Sequence, residues 1–167
     1  MNAMYPMTAS SSYSGYSSVA YKQYSTSKVL ADVALASFNE SSFDGPDQGN
    51  LACAYMVNRM VKRATGHTYG ADPDTVSSVW QDMLQKGAKH ITPGLAEPGD
   101  IAFSLSDKAL QNIGGGTAHI GIVIKPGIIV SNSSNNRRFN GLDTFESFSK
   151  KYQYFDILRL PERGIYA

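Results

Sequence analysis

Residues 118–134, AHIGIVIKPGIIVSNSS, contain two apolar, β-branched runs joined by a turn signal. Pro126-Gly127 suits the turn, because proline fixes its own φ and glycine tolerates positive φ. Alternation separates the first run into two faces. One face carries His119, Gly121 and Val123, and the other carries Ala118, Ile120, Ile122 and Ile124. The stretch therefore predicts an antiparallel hairpin whose first strand opens with a histidine.

Further signals flank this hairpin. EPGDIAFS (97–104) and YFDILRL (154–160) are strand-like, and DTFESFSKKY (143–152) predicts a short helix. Three earlier segments have helical spacing: 28–37 with Ser27 as cap, 51–64 with Asn50 as cap and Gly66 as stop, and 74–86 with Gly87 as stop. Helices followed by an antiparallel sheet are typical of the α+β class.

Composition narrows the range of functions. The 167 residues fit one domain, and 15 basic against 14 acidic residues give a net charge of +1. A near-neutral chain offers no broad attraction to nucleic acid. A single cysteine excludes an intrachain disulfide and a Cys-rich zinc site, and the three histidines lack metal-binding spacing. We expect no metal, no cofactor and no transmembrane segment.

The N-terminal segment differs in composition from the rest of the chain. Residues 1–26 are rich in Ser and Tyr without helical or strand periodicity, which predicts a flexible segment ahead of a catalytic domain at 27–167. The segment lacks the basic start and apolar core of a secretory signal. We therefore expect synthesis in the cytoplasm without the general secretory route.

Cys53, the only cysteine, lies in QGNLACAYMVNRMVKRATG (48–66). If Asn50 caps the helix, Cys53 is the third helical residue. Free backbone N–H groups and the helix dipole stabilise a thiolate there and lower the thiol pKa. The alternative interpretation is a small buried core residue, because free cysteines are commonly buried.

Two residues of the hairpin favour the catalytic interpretation. His119 can reach a helix packed on the sheet and accept the thiol proton, and Asn132 on the next strand can accept the second ring N–H. Alone, these two are ordinary features of a strand end and a polar loop. Together with Cys53 they predict a cysteine nucleophile with a histidine base.

The motifs GNLACAYMVN, EPGDIAF and AHIGIV together resemble the NlpC/P60 and CHAP cysteine peptidases and amidases of the papain-like superfamily. The similarity extends over about residues 28–160. It implies a papain-like NlpC/P60 fold, with N-terminal helices packed on a small antiparallel sheet. Ala52-Cys53-Ala54-Tyr55 stands where NlpC/P60 members carry Asp-Cys-Ser-Gly, so the chain resembles a divergent member.

The resemblance also implies the roles of the site residues. Cys53 is the nucleophile and His119 the general base. The third residue is Asn132 by the CHAP pattern and Ser131 by the NlpC/P60 pattern. We predict Asn132, because an amide is the better hydrogen-bond partner of an imidazole. The backbone N–H of Cys53 and the side chain of Gln48 are the expected oxyanion donors. Asn50 competes with Gln48 for this role, although capping would occupy its side chain.

The substrate implied is an amide bond of peptidoglycan. It is either the D-Glu–diamino acid bond of the stem peptide, which we favour, or the muramyl–L-Ala bond. A phage lysis enzyme, or a secreted antibacterial effector with a cognate immunity protein as partner, would then reach the cell wall by lysis or non-classical delivery. Two alternatives are a papain-like protein deamidase or acyltransferase, and a non-catalytic binding or structural module.

Overall fold

The computed structural model describes residues 25–111 and 117–162. These ranges contain five α-helices and six strands, in the following order. They are α1 (Thr26–Ala36), α2 (Cys53–Thr65), α3 (Val76–Gln85), β1 (Lys89–His90), β2 (Ile101–Leu105), α4 (Asp107–Leu110), β3 (Ala118–Lys125), β4 (Ile128–Ser133), β5 (Arg138–Thr144), α5 (Phe145–Ser149) and β6 (Tyr154–Arg159). The predicted α+β class is confirmed. No helix in the described ranges combines the length and apolarity that crossing a bilayer requires.

The six strands form one antiparallel sheet in the order β1-β6-β2-β3-β4-β5. The predicted hairpin is β3–β4, with Ile122 opposite Val130 and Gly127 in the turn at φ 76°. β1 and β5 had no strand signal in the sequence. β5 forms because its backbone pairs with β4 from Ile128 to Ser133, so the partner rather than its own composition determines its conformation.

The two faces of the sheet carry separate apolar clusters. The larger lies under α1, α2 and α3 and includes Ile120 and Ile122 of β3. The smaller lies under α5 and includes Val123 of β3 and Phe148 of the helix. The predicted alternation of β3 is therefore confirmed, and it places His119 on the α5 side of the sheet.

The Pro98-Gly99-Asp100 turn connects three elements. Asp100 is fully buried, and its carboxylate accepts two hydrogen bonds of 2.8 Å from the Arg159 guanidinium of β6. The hydroxyl of Ser27 in α1 donates to the same carboxylate at 3.4 Å. A buried carboxylate needs such partners because an unpaired buried charge is strongly destabilising. The turn therefore fixes α1 and β6 to the start of β2.

Several predicted boundaries are corrected. Ser25, not Ser27, caps α1, since its Oγ accepts the Lys28 N–H at 3.0 Å. The last two residues of the predicted N-terminal segment 1–26 thus belong to the start of α1, and residues 1–24 lie outside the described ranges. α3 begins at Val76, two residues later than predicted. The predicted stop of α2 at Gly66 is confirmed by its left-handed φ of 91°.

Candidate active site

The site lies where β3 and β4 separate. Their pairing runs from Lys125 opposite Ile128 to Gly121 opposite Ser131, and residues 118–120 of β3 extend beyond it. Alternate backbone groups of an antiparallel strand point to opposite edges. The N–H of Ile120 points to the edge that β4 has left, and it interacts with the Cys53 thiol. The start of α2 thus fills the gap between the two strands.

Cys53 is the first residue of α2, two positions closer to the helix start than the Asn50 cap predicted. Asn50 does not cap the helix, because its amide donates to Asp47 Oδ2 at 2.8 Å. Interactions with the backbone N–H groups of Cys53, Ala54 and Ile120 act to lower the pKa of the Cys53 thiol. Two of these are helix-terminal N–H groups that no carbonyl within the helix satisfies. They supply positive partial charge to the thiol.

The loop before Cys53 has an unusual backbone. Asp47, Gln48 and Gly49 have φ values of 51°, 52° and 92°, all left-handed. Such a conformation costs a non-glycine residue roughly 1–2 kcal/mol. Gly49 is required here, because a Cβ would lie 2.9 Å from the Ser42 carbonyl oxygen. The Gly49 carbonyl accepts a hydrogen bond from Asn132 Nδ2 at 2.8 Å, which ties this loop to β4.

Gln48 does not occupy the position expected of an oxyanion donor. Its side chain is exposed and does not line the cavity that contains Cys53. The left-handed backbone turns the side chain outward, which the sequence does not reveal. Asn50 does line the cavity, with its amide bonded to Asp47. Of the two predicted donors, the backbone N–H of Cys53 remains at the site.

Gln48→Gly tests this finding. We expect turnover in a hydrolysis assay to stay within about twofold of wild type, and the melting temperature to stay equal or rise, because glycine adopts the φ of 52° without strain. Loss of an oxyanion donor would instead lower kcat by roughly 100-fold or more. Such a loss would return Gln48 to the catalytic machinery.

His119 lies on the α5 face of the sheet and is half-buried. Its Nε2 is 2.9 Å from the Oγ of Ser131, and its ring centroid is 5.4 Å from that of Phe148. These contacts hold the ring from two sides. Nδ1 is the ring nitrogen that the hydrogen bond with Ser131 does not involve. Among the described residues no hydrogen bond joins His119 to Cys53, but the two side chains line the same cavity.

Asn132 does not contact His119, and the predicted hydrogen bond between them is corrected. Its Nδ2 donates to the carbonyl of Gly49 at 2.8 Å. Ser131 is opposite Gly121 and so shares the face of His119, whereas Asn132 shares the face of α2. Strand alternation therefore decides the partner, and it selects Ser131. The preference of imidazole for an amide has no influence when the amide points to the other face.

Ser131→Ala should lower turnover by roughly 10- to 100-fold with little change in KM. Ser131 is 2 % exposed and its hydroxyl fixes the imidazole, but an uncharged partner stabilises an imidazolium less than a carboxylate does. Steady-state kinetics measure the effect. Ser133→Ala is the matched control, because the Ser133 hydroxyl accepts from Asn136 N–H, away from the ring. If turnover of Ser131→Ala is as high as that of Ser133→Ala, Ser131 does not orient the imidazole.

Burial controls the protonation of both reacting groups. It raises the pKa of the Cys53 thiol, and this outweighs the three backbone N–H groups, so the predicted lowering of that pKa is wrong. Burial, assisted by the charge of Lys151 and opposed by Asp143, lowers the pKa of His119 to about 4. At neutral pH Cys53 is therefore a thiol and His119 a neutral imidazole.

The lowered pKa of His119 predicts acid sensitivity. An unfolded histidine has a pKa of about 6.5, so between pH 6.5 and 4 the unfolded chain binds more protons than the folded protein, whose His119 has a pKa of about 4. Stability from this group is complete above pH 6.5 and is lost as the pH falls towards 4. The free energy of unfolding of the wild-type protein should fall between pH 7 and pH 4.5. In His119→Gln this fall should be smaller by roughly 2 kcal/mol.

Urea unfolding at the two pH values measures this difference. His67→Gln is the control, because His67 is exposed. An identical pH dependence for wild type and His119→Gln would contradict the burial of a neutral His119.

The cavity around these residues has a volume of about 510 Å³, within the range of small-ligand sites. It lies between the start of α2, the start of α3 and the ends of β3 and β4. Its described lining contains one carboxylate, Asp74, and no lysine or arginine. The lining residues are Pro46, Asn50, Leu51, Cys53, Asp74, Thr75, Val76, Ser77, Ala109, Thr117, Ala118, His119, Asn132, Ser134 and Tyr152.

Two parts of the site had no clear signal in the sequence. Phe148, which contacts the His119 ring, lies in FESF, and its aromatic character marked only a helix. Asp74 was assigned to the predicted third helix but lies ahead of it, at the cavity. In both cases tertiary packing, and not local sequence, brings the residue to the site.

No protein-family model matches the sequence, and no curated protein sequence matches it.

Proposed function

We propose that the protein is a cysteine amidohydrolase that cleaves amide bonds in peptidoglycan. Cys53 is the nucleophile, His119 the general base and Ser131 the residue that orients the imidazole. The observation that carries the proposal is the joint placement of Cys53 and His119 on one cavity, where three backbone N–H groups interact with the thiol. If Cys53 were only a core residue, its packing would not require a histidine on the same cavity whose ring is held by Ser131 and Phe148.

The reaction follows from the protonation states. Nδ1 of His119 takes the thiol proton as the Cys53 sulfur attacks the amide carbonyl carbon, and the backbone N–H of Cys53 donates to the developing oxyanion. The imidazolium then gives its proton to the leaving amine, and the C–N bond breaks. A water molecule hydrolyses the thioester, with His119 again as base. Because the imidazole is neutral above about pH 4, the base is available across the neutral range.

The choice of peptidoglycan depends on the resemblance to the NlpC/P60 and CHAP enzymes, and the cavity volume is compatible with part of a stem peptide. The test is incubation of the purified protein with peptidoglycan, followed by mass spectrometry of the soluble products. A stem-peptide endopeptidase, which we favour, yields fragments ending in D-Glu. A muramoyl-alanine amidase yields free stem peptides. Products that also form with Cys53→Ala would contradict the proposal.

One observation favours a second function, that of a non-catalytic module. Cys53 packs against the larger apolar cluster, and its thiol pKa is raised rather than lowered. A core cysteine has both properties. The two functions differ in the effect that truncation of Cys53 should have on the stability of the fold.

A further inference from the structure

Ser131, the residue that holds the His119 ring, has a glycine opposite it on each neighbouring strand. Gly121 of β3 and Gly141 of β5 both pair with Ser131 in the sheet. Directly paired residues share a face of the sheet, so all three lie on the α5 face with His119. The ring reaches Ser131 diagonally past Gly121, and its Nε2 is 2.9 Å from the hydroxyl oxygen. The hydroxyl therefore has no Cβ beside it on either adjacent strand.

Gly141 needs a physical explanation, because glycine weakens a strand and commonly marks a close approach. It has no positive φ that would require glycine. Space is the remaining requirement. A Cβ at this position would lie 3.3 Å from Ser131 Oγ and 3.2 Å from the Ser131 carbonyl oxygen, and both contacts are tighter than ordinary van der Waals contact. Ser131 is 2 % exposed, so its hydroxyl has little room to move away.

We propose that Gly141 is a positioning residue of the candidate active site. Its missing side chain leaves the Ser131 hydroxyl in the orientation that holds the His119 imidazole, so Gly141 acts on the base through Ser131. The inference rests on the proposed function, in which His119 is the base. Gly121 is less suitable for a test, because a Cβ there would overlap Ile129 whether or not the hydroxyl is present.

Gly141→Ala tests the proposal through the ¹⁵N chemical shift of His119 Nε2, measured by NMR at neutral pH. This shift responds to the hydrogen bond with Ser131, whichever group donates. We expect Gly141→Ala to move the shift towards its value in Ser131→Ala. Turnover on peptidoglycan should fall roughly three- to tenfold with KM little changed, because one hydrogen bond to the base is weakened.

Leu142→Ala is the matched control on the same strand. Leu142 is adjacent to Gly141 but pairs with Val130, so it lies on the other face, and it is 57 % exposed. This variant should keep the wild-type Nε2 shift and turnover. A change of the Nε2 shift in Leu142→Ala as large as in Gly141→Ala would mean that any disturbance of β5 reaches the ring, and it would overturn the proposal.

The double variant Ser131→Ala/Gly141→Ala separates positioning from a purely steric effect on the backbone. The added Cβ meets the carbonyl oxygen of residue 131 in either background, but it meets the hydroxyl only when Ser131 is present. Once Ser131 is alanine, Gly141→Ala should therefore cause no further change in the Nε2 shift or in turnover. An equal further change in both backgrounds, or a wild-type shift in Gly141→Ala, would overturn the proposal.

Folding of the variants gives a second measure. If Gly141→Ala alone does not fold, the double variant should fold, because removal of the hydroxyl relieves the contact at 3.3 Å. If Ser131→Ala folds and the double variant does not, Gly141 accommodates the backbone and the proposal is wrong. The NMR measurement needs no substrate. Absence of peptidoglycan hydrolysis would contradict the proposed function alone, whereas a wild-type Nε2 shift in an active Gly141→Ala would contradict only the positioning role.

Discussion

Cys53→Ala is expected to abolish peptidoglycan hydrolysis, with turnover lowered by at least about 10⁴-fold, because no other thiol can form the thioester. The folded protein should lose only about 1 kcal/mol of stability, since the change removes a single atom from a residue that is itself only half-buried. Hydrolysis assays and urea unfolding measure the two effects. Large loss of activity with small loss of stability is the pattern of a nucleophile.

Cys53→Ser is the companion variant. Its hydroxyl can accept the same backbone N–H groups, so it should fold as stably as wild type and still be inactive, because a serine hydroxyl is a much weaker nucleophile beside this imidazole. Activity retained in Cys53→Ala would end the catalytic interpretation. A loss of several kcal/mol, together with no wild-type activity on peptidoglycan, would establish Cys53 as a core residue.

Gly99→Ala is expected to cause the largest loss of stability, more than about 4 kcal/mol. Gly99 has a φ of 93°, and a Cβ there would overlap the backbone of Ser27. The turn at Gly99 and the start of α1 at Ser27 cannot then both keep their positions. The adjacent Asp100 would also be displaced from its hydrogen bonds with Arg159, which leaves a buried charge without its partner. Thermal and urea unfolding measure the loss.

Alanine substitutions at two other glycines distinguish the steric overlap of an added Cβ from the strain of a positive φ. A Cβ at Gly127 would meet nothing within 4 Å, but its φ is 76°, so Gly127→Ala should cost about 1–2 kcal/mol from the backbone alone. A Cβ at Gly94 also meets nothing, and no positive φ constrains it, so Gly94→Ala should stay within about 0.5 kcal/mol of wild type. A Gly99 variant no less stable than the Gly127 variant would mean that α1 can move away.

The parts of the fold that local rules determine could be predicted from the sequence. Pro126-Gly127 marked the β3–β4 turn, and Gly66 marked the end of α2, because each supplies a backbone conformation that few residues accept. β5 could not be predicted in this way. Its sequence RFNGLDT mixes charged and apolar residues, and its strand conformation depends on pairing with β4.

Some features of the candidate site could likewise be predicted from the sequence, and others could not. Cys53 and His119 were predicted from the sequence, and they do line one cavity. The start of α2 was predicted wrongly because Asp47 and Gln48 take left-handed backbone conformations, which the sequence does not indicate. The lowered thiol pKa was predicted from the helix dipole alone. Desolvation, which depends on the whole fold, opposes the dipole and exceeds it.

The separation of β3 from β4 has a spectroscopic consequence. The Ile120 amide interacts with the Cys53 thiol at a point where β3 no longer pairs with β4. Its hydrogen exchange and its ¹H chemical shift depend on the charge and oxidation state of one atom, the Cys53 sulfur. This amide is therefore an intrinsic NMR probe of the thiol, one that follows deprotonation, alkylation or acylation without any label.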